Sequence, residues 1–151
     1  MAARAIHEAA AVMDNPADLI RHMQPDHPVM AFAPTVLQDR ARQFLTGFPG
    51  LVTYAVKSNP DEAVIQNLVT AGIRGFDVAS PFEIDLIGRL APCAARHYHN
   101  PVRSRREIAH GVREGIRAWS VDSRSELDKL DAGEEYHFLD PGVVARKAQT
   151  A

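Results

Sequence analysis

The pattern of apolar and polar residues along the chain predicts an alternation of strands and amphipathic helices. Four segments place a helix N-cap side chain three residues before a glutamate, which is the capping-box spacing: Asn59–Glu62, Ser80–Glu83, Ser104–Glu107 and Ser123–Glu126. Apolar residues at helical spacing follow each segment, so each predicts a helix with one buried face. The four segments recur every 19 to 24 residues, which is the length of one strand, one helix and two loops.

A short run with strand character precedes each of these helices: Leu51–Val56, Gly75–Val78, Arg96–Tyr98 and Arg117–Val121, with Tyr136–Leu139 as a fifth candidate. A repeated βα unit builds either a doubly wound sheet or a (β/α) barrel. No glycine-rich nucleotide-binding motif follows any of the runs. Each strand also turns polar where it ends, as strands do at the active-site rim of a barrel. We therefore predict an α/β fold, a partial (β/α) barrel of about four to five repeats.

The N-terminal part of the chain does not follow this repeat. Residues 15–23 predict a short helix that prolines then end. Residues 28–32 are expected to be extended, and a helix over 34–47 precedes the first repeat. The expected organisation has three regions: an N-terminal helical extension (1–27), the barrel portion (28–139) and an irregular C-terminal tail (140–151).

Composition narrows the class of protein. The 151 residues fit one domain, and the 46% hydrophobic and 24% charged content is ordinary for a globular protein. A net charge of -2 gives no signature of nucleic-acid binding. The single cysteine, Cys93, excludes an intrachain disulfide and fits a reducing compartment. No apolar run approaches the length of a membrane span. We therefore expect a cytoplasmic protein without nucleic-acid or membrane partners.

Lys57 is the first candidate for chemistry. It follows the apolar Tyr54–Val56 segment directly, where capping does not explain it. An amine held at a barrel rim and partly desolvated by Tyr54 and Val56 can condense with an aldehyde cofactor. Asp77, at the end of the next strand, would then be a nearby carboxylate. The structural alternative is a surface lysine whose stem lies along apolar neighbours.

Other candidate groups give weaker signals. His97 and His99 share one strand face and could bind a metal, but no third ligand is evident, so no metal site is predicted. Cys93 has no paired base in its loop and is interpreted as a small buried or loop thiol. Arg103, Arg105 and Arg106 gather at a helix start, where an anion could neutralise them, and a solvated surface is the preferred interpretation.

The segment Tyr54–Pro60 resembles the lysine motif of the barrel-type (fold type III) pyridoxal-phosphate-dependent amino-acid decarboxylases, the family of ornithine, diaminopimelate and arginine decarboxylases. Three more blocks follow in the family's order: Phe76–Ser80 with Glu83 and Ile84, Asn100–Arg103, and Val121–Ser123 with Glu126 and Leu127. The resemblance covers about Pro28 to Leu130. It is closer to the ornithine decarboxylase branch than to alanine racemase, and residues 28–32 resemble the strand that the family contributes to its second, β-rich domain.

The resemblance implies roles for three residues. Lys57 would be the catalytic residue that forms the Schiff base with pyridoxal phosphate. Ala55 would lie near the cofactor ring, and Asp77 would stand close to the Schiff base and help to set its protonation. Asn100 and Arg103 would help to shape the site without an assigned role.

The activity that the resemblance implies is that of a carboxy-lyase for a basic amino acid, first of all the conversion of ornithine to putrescine in polyamine biosynthesis. The partners would be the amino-acid substrate and a second chain, either in a homodimer or as a full-length relative. The family uses eight strands and a β domain, so we expect a truncated or incomplete form. One alternative is a non-catalytic fragment that pairs with a full-length relative. Another is a metal-dependent barrel hydrolase that uses His97 and His99.

Overall fold

The computed structural model describes residues 15–131. The predicted strand Tyr136–Leu139 and the tail 140–151 lie outside the described residues. The helices are α1 (Pro16–Met23), α2 (Pro34–Gly47), α3 (Glu62–Ala71), α4 (Pro81–Leu90), α5 (Arg105–Arg113) and α6 (Arg124–Asp131). The strands are β1 (Thr53–Ala55), β2 (Gly75–Val78), β3 (Ala95–Tyr98) and β4 (Ala118–Trp119), and a 3-10 turn (Val56–Ser58) follows β1. One compact unit ends at Ala33, and a second begins at Pro34.

Within the first unit, α1 confirms the short helix predicted over 15–23. Asn15 is its N-cap, and the Asn15 side chain accepts a hydrogen bond from the backbone N–H of Asp18. Gln24 ends the helix in the left-handed conformation, with φ 43°. The segment 28–32, expected to be extended, belongs to no helix or strand.

Within the second unit, the four strands form one parallel sheet in the order β1-β2-β3-β4. A helix lies between each pair of consecutive strands. A doubly wound sheet reverses its strand order at a switch point, whereas a (β/α) barrel keeps sequence order throughout. Because the described strands keep sequence order, the sheet confirms the βα repeat and has the topology of part of a barrel.

Local capping explains where most of the helices begin. Ser104 and Glu107 form a complete capping box on α5, while Ser80 caps α4 and the Ser123 hydroxyl accepts from the N–H of Glu126. The capping box predicted at Asn59–Glu62 is wrong, because Asp61 and not Asn59 is the N-cap of α3. Asn59 instead ends the 3-10 turn, where its N–H bonds to the carbonyl of Val56, and the residue before a proline is held away from helical geometry.

The hydrophobic core joins the sheet to the helices of the second unit. Phe76 and Val78 of β2 are fully buried, as are Ile65 of α3 and Ile84 and Ile87 of α4. Ala41 is the buried residue of α2, which has 14 residues and is the longest of the described helices. None of the helices between residues 15 and 131 combines the length and the apolar character needed to cross a lipid bilayer.

Two glycines inside helices differ in the space around them. A Cβ built on Gly111 of α5 would lie 2.5 Å from the Trp119 ring, so α5 contacts β4 with no room for a side chain. A Cβ on Gly88 of α4 would meet only the far end of the Arg96 side chain, at 2.9 Å. An indole ring packed between neighbours cannot yield as a flexible guanidinium can.

We therefore expect Gly111→Ala to destabilise the protein and Gly88→Ala to leave it unchanged or more stable. Overpacking against Trp119 costs about 1–3 kcal/mol, whereas Ala in place of Gly favours a helix by up to about 1 kcal/mol. Urea unfolding of the two variants, followed by circular dichroism, measures both effects. Equal stability of the two variants would contradict the close packing of α5 on Trp119.

Candidate functional site

Four side chains form a row across the carboxyl ends of the strands, here called the rim row: Ala55, Asp77, His97 and His99. The parallel register pairs Ala55 of β1 with Asp77 of β2, and Asp77 with His97 of β3. His99 follows β3, and its backbone N–H bonds to the carbonyl of Val78, which continues the ladder. Because alternate residues of an extended chain share a face, His99 lies on the face of His97.

Lys57 lies in the 3-10 turn directly after β1 and is exposed. The expectation that Tyr54 and Val56 partly desolvate its amine is therefore wrong. Val56 takes the fully buried position of the turn, and Lys57 falls on the solvent side. No hydrogen bond or ion pair joins the Lys57 amine to another residue between 15 and 131, so this amine is available to a ligand.

The turn that carries Lys57 is held by Tyr54. The Tyr54 hydroxyl donates a hydrogen bond to the backbone carbonyl of Asn59, at 3.2 Å. Its ring packs edge-on against Phe76, with centroids 6.5 Å apart. Burial raises the pKa of Tyr54, and the bond to Asn59 opposes this shift. A neutral Tyr54 therefore fixes both ends of the segment 54–59 at neutral pH.

Asp77 supplies the one carboxylate of the rim row. Its Oδ2 accepts a hydrogen bond from the Thr53 hydroxyl at 3.0 Å. Its Oδ1 is buried and has no hydrogen-bond partner within residues 15–131. The Nδ1 atoms of His97 and His99 lie 3.6 Å and 3.4 Å from this oxygen. The sequence predicted Asp77 as a site residue but did not reveal that the two histidines flank it.

Hydrogen bonds join the loops that follow β2 and β3. The carboxylate of Glu83 accepts from the N–H of Ala79 at 2.8 Å, and the Asn100 side chain donates to the carbonyl of Ala79 at 3.2 Å. Asn100 also accepts from the N–H of Val102 at 3.3 Å. Asn100 therefore fixes the backbone of both loops.

Arg103 is buried, in contrast to the surface position that the sequence predicted. It was expected on a solvated surface with Arg105 and Arg106, which are exposed, but Arg103 itself is 2% exposed. Its guanidinium carbon lies 5.3 Å from the ring centroids of both Tyr98 and Trp119. The two rings supply the cation–π contacts that a surface arginine lacks.

Hydrogen bonds and one carboxylate compensate for the burial of this charge. Arg103 donates to the backbone carbonyls of Tyr98 and Ser120, and its Nε lies 3.8 Å from the carboxylate of Glu126. Burial lowers the pKa of Arg103, while the Glu126 carboxylate raises it. Burial also raises the pKa of Tyr98 to about 12, so the phenol stays neutral beside the guanidinium. No periodicity in the sequence separates Arg103 from its exposed neighbours.

Cys93 lies exposed in the loop between α4 and β3. That position agrees with its interpretation as a loop thiol.

Comparisons with known proteins add to this geometry. Residues 35–139, more than two thirds of the chain, match the family model described as the pyridoxal-binding domain of pyridoxal-dependent decarboxylases. The ornithine decarboxylase of Panagrellus redivivus is 30% identical over 122 residues, which cover 80% of this chain and 27% of that protein. Antizyme inhibitor 2 of Xenopus laevis is 32% identical over 90 residues, which cover 58% of this chain and 20% of that protein.

A solved structure agrees on the fold. The lysine/ornithine decarboxylase of Vibrio vulnificus, complexed with putrescine, superposes with a TM-score of 0.69 at 23% identity, covering 81% of this chain and 34% of that one.

The chain belongs to the family of pyridoxal-dependent decarboxylases and carries part of their pyridoxal-binding domain. The described fold is accordingly the first part of a (β/α) barrel of this family. The resemblance read from the four sequence blocks is confirmed. The chain spans about a quarter of the length of the Panagrellus relative.

The buried position of Arg103 generates a stability prediction. Arg103→Met removes one member of a buried ion pair and leaves the Glu126 carboxylate with Lys129 alone. We expect a loss of about 3–5 kcal/mol in the free energy of unfolding. Arg106→Met, at an exposed position of α5, should change it by less than about 0.5 kcal/mol. Urea titrations of both variants measure this, and equal losses would contradict the distinct environment of Arg103.

Proposed function

We propose that this chain contributes the lysine-bearing part of the active site of a cytoplasmic pyridoxal-phosphate-dependent decarboxylase that acts on a basic amino acid. One observation carries the proposal. The amine of Lys57 is free of partners within the described residues, and it follows β1 at the same sheet edge as the unpartnered carboxylate oxygen of Asp77. Buried polar groups without a partner, such as Asp77 Oδ1, are typical of functional sites.

The described residues fit the ring end of pyridoxal phosphate. Ala55, the neighbour of Asp77 in the sheet register, has a side chain small enough to leave space beside the carboxylate. The buried Oδ1 of Asp77 lacks the donor that a bound polar group can supply. Lys57 has the primary amine that an aldehyde requires. The phosphate end of the cofactor needs backbone N–H donors. Residues 15–131 contain no glycine-rich loop that would provide them.

The chain's own residues then have separate tasks. Lys57 would hold the cofactor at the strand ends through its primary amine, which can condense with an aldehyde and release water. Thr53 fixes the Asp77 carboxylate through its bond to Oδ2, which leaves Oδ1 to hold a proton or a positive charge near the amine. Tyr54 keeps the lysine turn in place through Asn59. When bound, pyridoxal phosphate supplies the ring that accepts the electron pair left by the loss of carbon dioxide.

Ornithine is the substrate that the relatives support best. The Panagrellus relative is named an ornithine decarboxylase, and the Vibrio structure is of a lysine/ornithine decarboxylase with putrescine bound. Decarboxylation of ornithine yields putrescine, which would place the activity in polyamine biosynthesis. A second chain, in a homodimer or as a full-length relative, would complete the site.

A second candidate function is a non-catalytic role as the binding partner of a full-length relative. The similarity to antizyme inhibitor 2 favours it, because that relative's name describes an inhibitor and not an enzyme. The two candidates differ in one respect that can be measured. Only the catalytic proposal requires Lys57 to react with the cofactor.

We expect purified protein mixed with pyridoxal phosphate and reduced with borohydride to carry a pyridoxyl group on Lys57, located by peptide mass spectrometry. The chain has only three lysines, Lys57, Lys129 and Lys147, so each is readily distinguished. The Lys129 amine is engaged by the carbonyl of Arg103 and the carboxylate of Glu126, which favours reaction at Lys57.

The matched controls are Lys57→Arg, which keeps the charge but cannot condense with an aldehyde, and Lys147→Arg. The adduct should disappear in the first variant and persist in the second. Equal labelling of Lys57 and Lys147, or no adduct at all, would refute the cofactor role of Lys57. The non-catalytic role would then be the better proposal.

A further inference from the structure

Asp77, His97 and His99 converge on a common point at the carboxyl ends of β2 and β3. One ligand atom from each, a carboxylate oxygen or an imidazole nitrogen, lies within 4.8 Å of both others. The strands produce this arrangement directly, because β2 and β3 pair Asp77 with His97 and the next residue on the same face is His99. This cluster, here called the rim triad, is a set of two histidines and one carboxylate.

The two distances from Asp77 to the imidazoles of the rim triad are close to those between ligands of one metal ion. Asp77 Oδ1 lies 3.6 Å from His97 Nδ1 and 3.4 Å from His99 Nδ1. Direct hydrogen bonds between these groups would be about 2.7–3.2 Å long. Two ligand atoms on one tetrahedral zinc ion, each about 2.0–2.1 Å from the metal, lie about 3.3–3.4 Å apart. The two pairs that include Asp77 are therefore longer than ordinary hydrogen bonds and have the spacing of two ligands on one ion.

A hydrogen bond orients the carboxylate of the rim triad. Thr53 donates to Asp77 Oδ2 at 3.0 Å, which fixes the plane of the carboxylate. The other oxygen, Oδ1, faces the two imidazoles and is buried without a hydrogen-bond partner in the described part of the chain. A buried carboxylate oxygen without a donor is costly, and a divalent cation removes that cost. The bond from Thr53 is an outer-shell contact of the kind that orients metal ligands.

We propose that Asp77, His97 and His99 form a binding site for a zinc-like divalent cation, with a fourth coordination position open to solvent. Three protein ligands and one open position are the composition of catalytic-type zinc sites. The opening lies beside His99, whose side chain is 48% exposed, whereas that of His97 is 26% exposed. The proposal rests on the geometry of these three side chains. Because it uses the Asp77 oxygen that the proposed function assigns to the cofactor site, zinc and pyridoxal phosphate would occupy this oxygen one at a time.

A second cluster in the same chain provides an internal control. Asp85 of α4 lies near His110 and Glu114 of the α5 region. There His110 Nε2 already shares a hydrogen bond of 2.7 Å with Asp85, which is closer than two ligands of one tetrahedral ion. The Asp85 side chain is 58% exposed, so its carboxylate is hydrated without a metal. We therefore expect zinc at the rim triad and none at Asp85.

The test is a zinc titration of untagged, EDTA-treated protein against a chromophoric chelator. The unmodified chain should bind about one zinc ion, and cobalt in its place should give the visible absorption of a four-coordinate site. His99→Ala should weaken zinc binding by roughly 100-fold or more, since loss of a direct ligand costs more than the 10–100-fold typical of an outer-shell partner. Thr53→Val should weaken it by roughly 10-fold, and His110→Ala should leave it unchanged.

Lys57→Ala separates this proposal from the cofactor proposal, because it removes the pyridoxyl adduct and should retain the zinc ion. Circular dichroism of His99→Ala establishes that the half-exposed position tolerates the change. The proposal is overturned if the unmodified chain binds no zinc, or if His99→Ala and Thr53→Val bind it as tightly as the unmodified chain.

Discussion

The parallel backbone ladder that joins β1, β2 and β3 determines where every candidate functional group lies. In β2 the fully buried Phe76 and Val78 flank Asp77 on the opposite face. A slip of one residue would turn both apolar side chains toward the rim row and Asp77 into the core. Hydrophobic burial therefore fixes the register, and the register brings Asp77 beside Ala55 and His97. The free energy that positions the site comes from residues that take no part in its chemistry.

The buried charge of Arg103 links β3 to β4 and α6, beyond the three strands that carry the candidate site. Tyr98 belongs to β3 and Trp119 to β4, and the guanidinium lies against both rings. Its bonds to the carbonyls of Tyr98 and Ser120 reach both strand ends, and Glu126 brings in α6. A charged group without such partners would be very costly to bury. Arg103 thus connects β3, β4 and α6 through a single side chain.

Local signals in the sequence predicted the repeat well. The bounds of β2, the caps at Ser80 and Ser104, and the short helix after Asn15 all depend on residues within one helical turn of each other. The start of α3 was predicted at Asn59, two residues too early. Asn59 instead ends a 3-10 turn, and Pro60 disfavours helical geometry at the residue before it.

Features that depend on contacts between elements were not predictable in the same way. The distances within the rim triad require the pairing of β2 with β3, which no single segment encodes. The burial of Arg103 requires aromatic side chains from two strands. The exposure of Lys57 follows from the direction of a single turn. Candidate residues were therefore identifiable from the chain, whereas their mutual geometry was not.

The sequential order of the strands also affects how the chain can fold during its synthesis. Each strand pairs with the one before it, and paired residues are only 20 to 22 positions apart. Closing a loop of this size costs only about 0.6 kcal/mol more than closing one half as long. As the chain leaves the ribosome from its N-terminus, β1 and β2 can pair while α5 is still being made. The carboxyl edge of the sheet would then assemble in one direction, from the lysine turn towards the histidines, with each new strand docking on a template already in place.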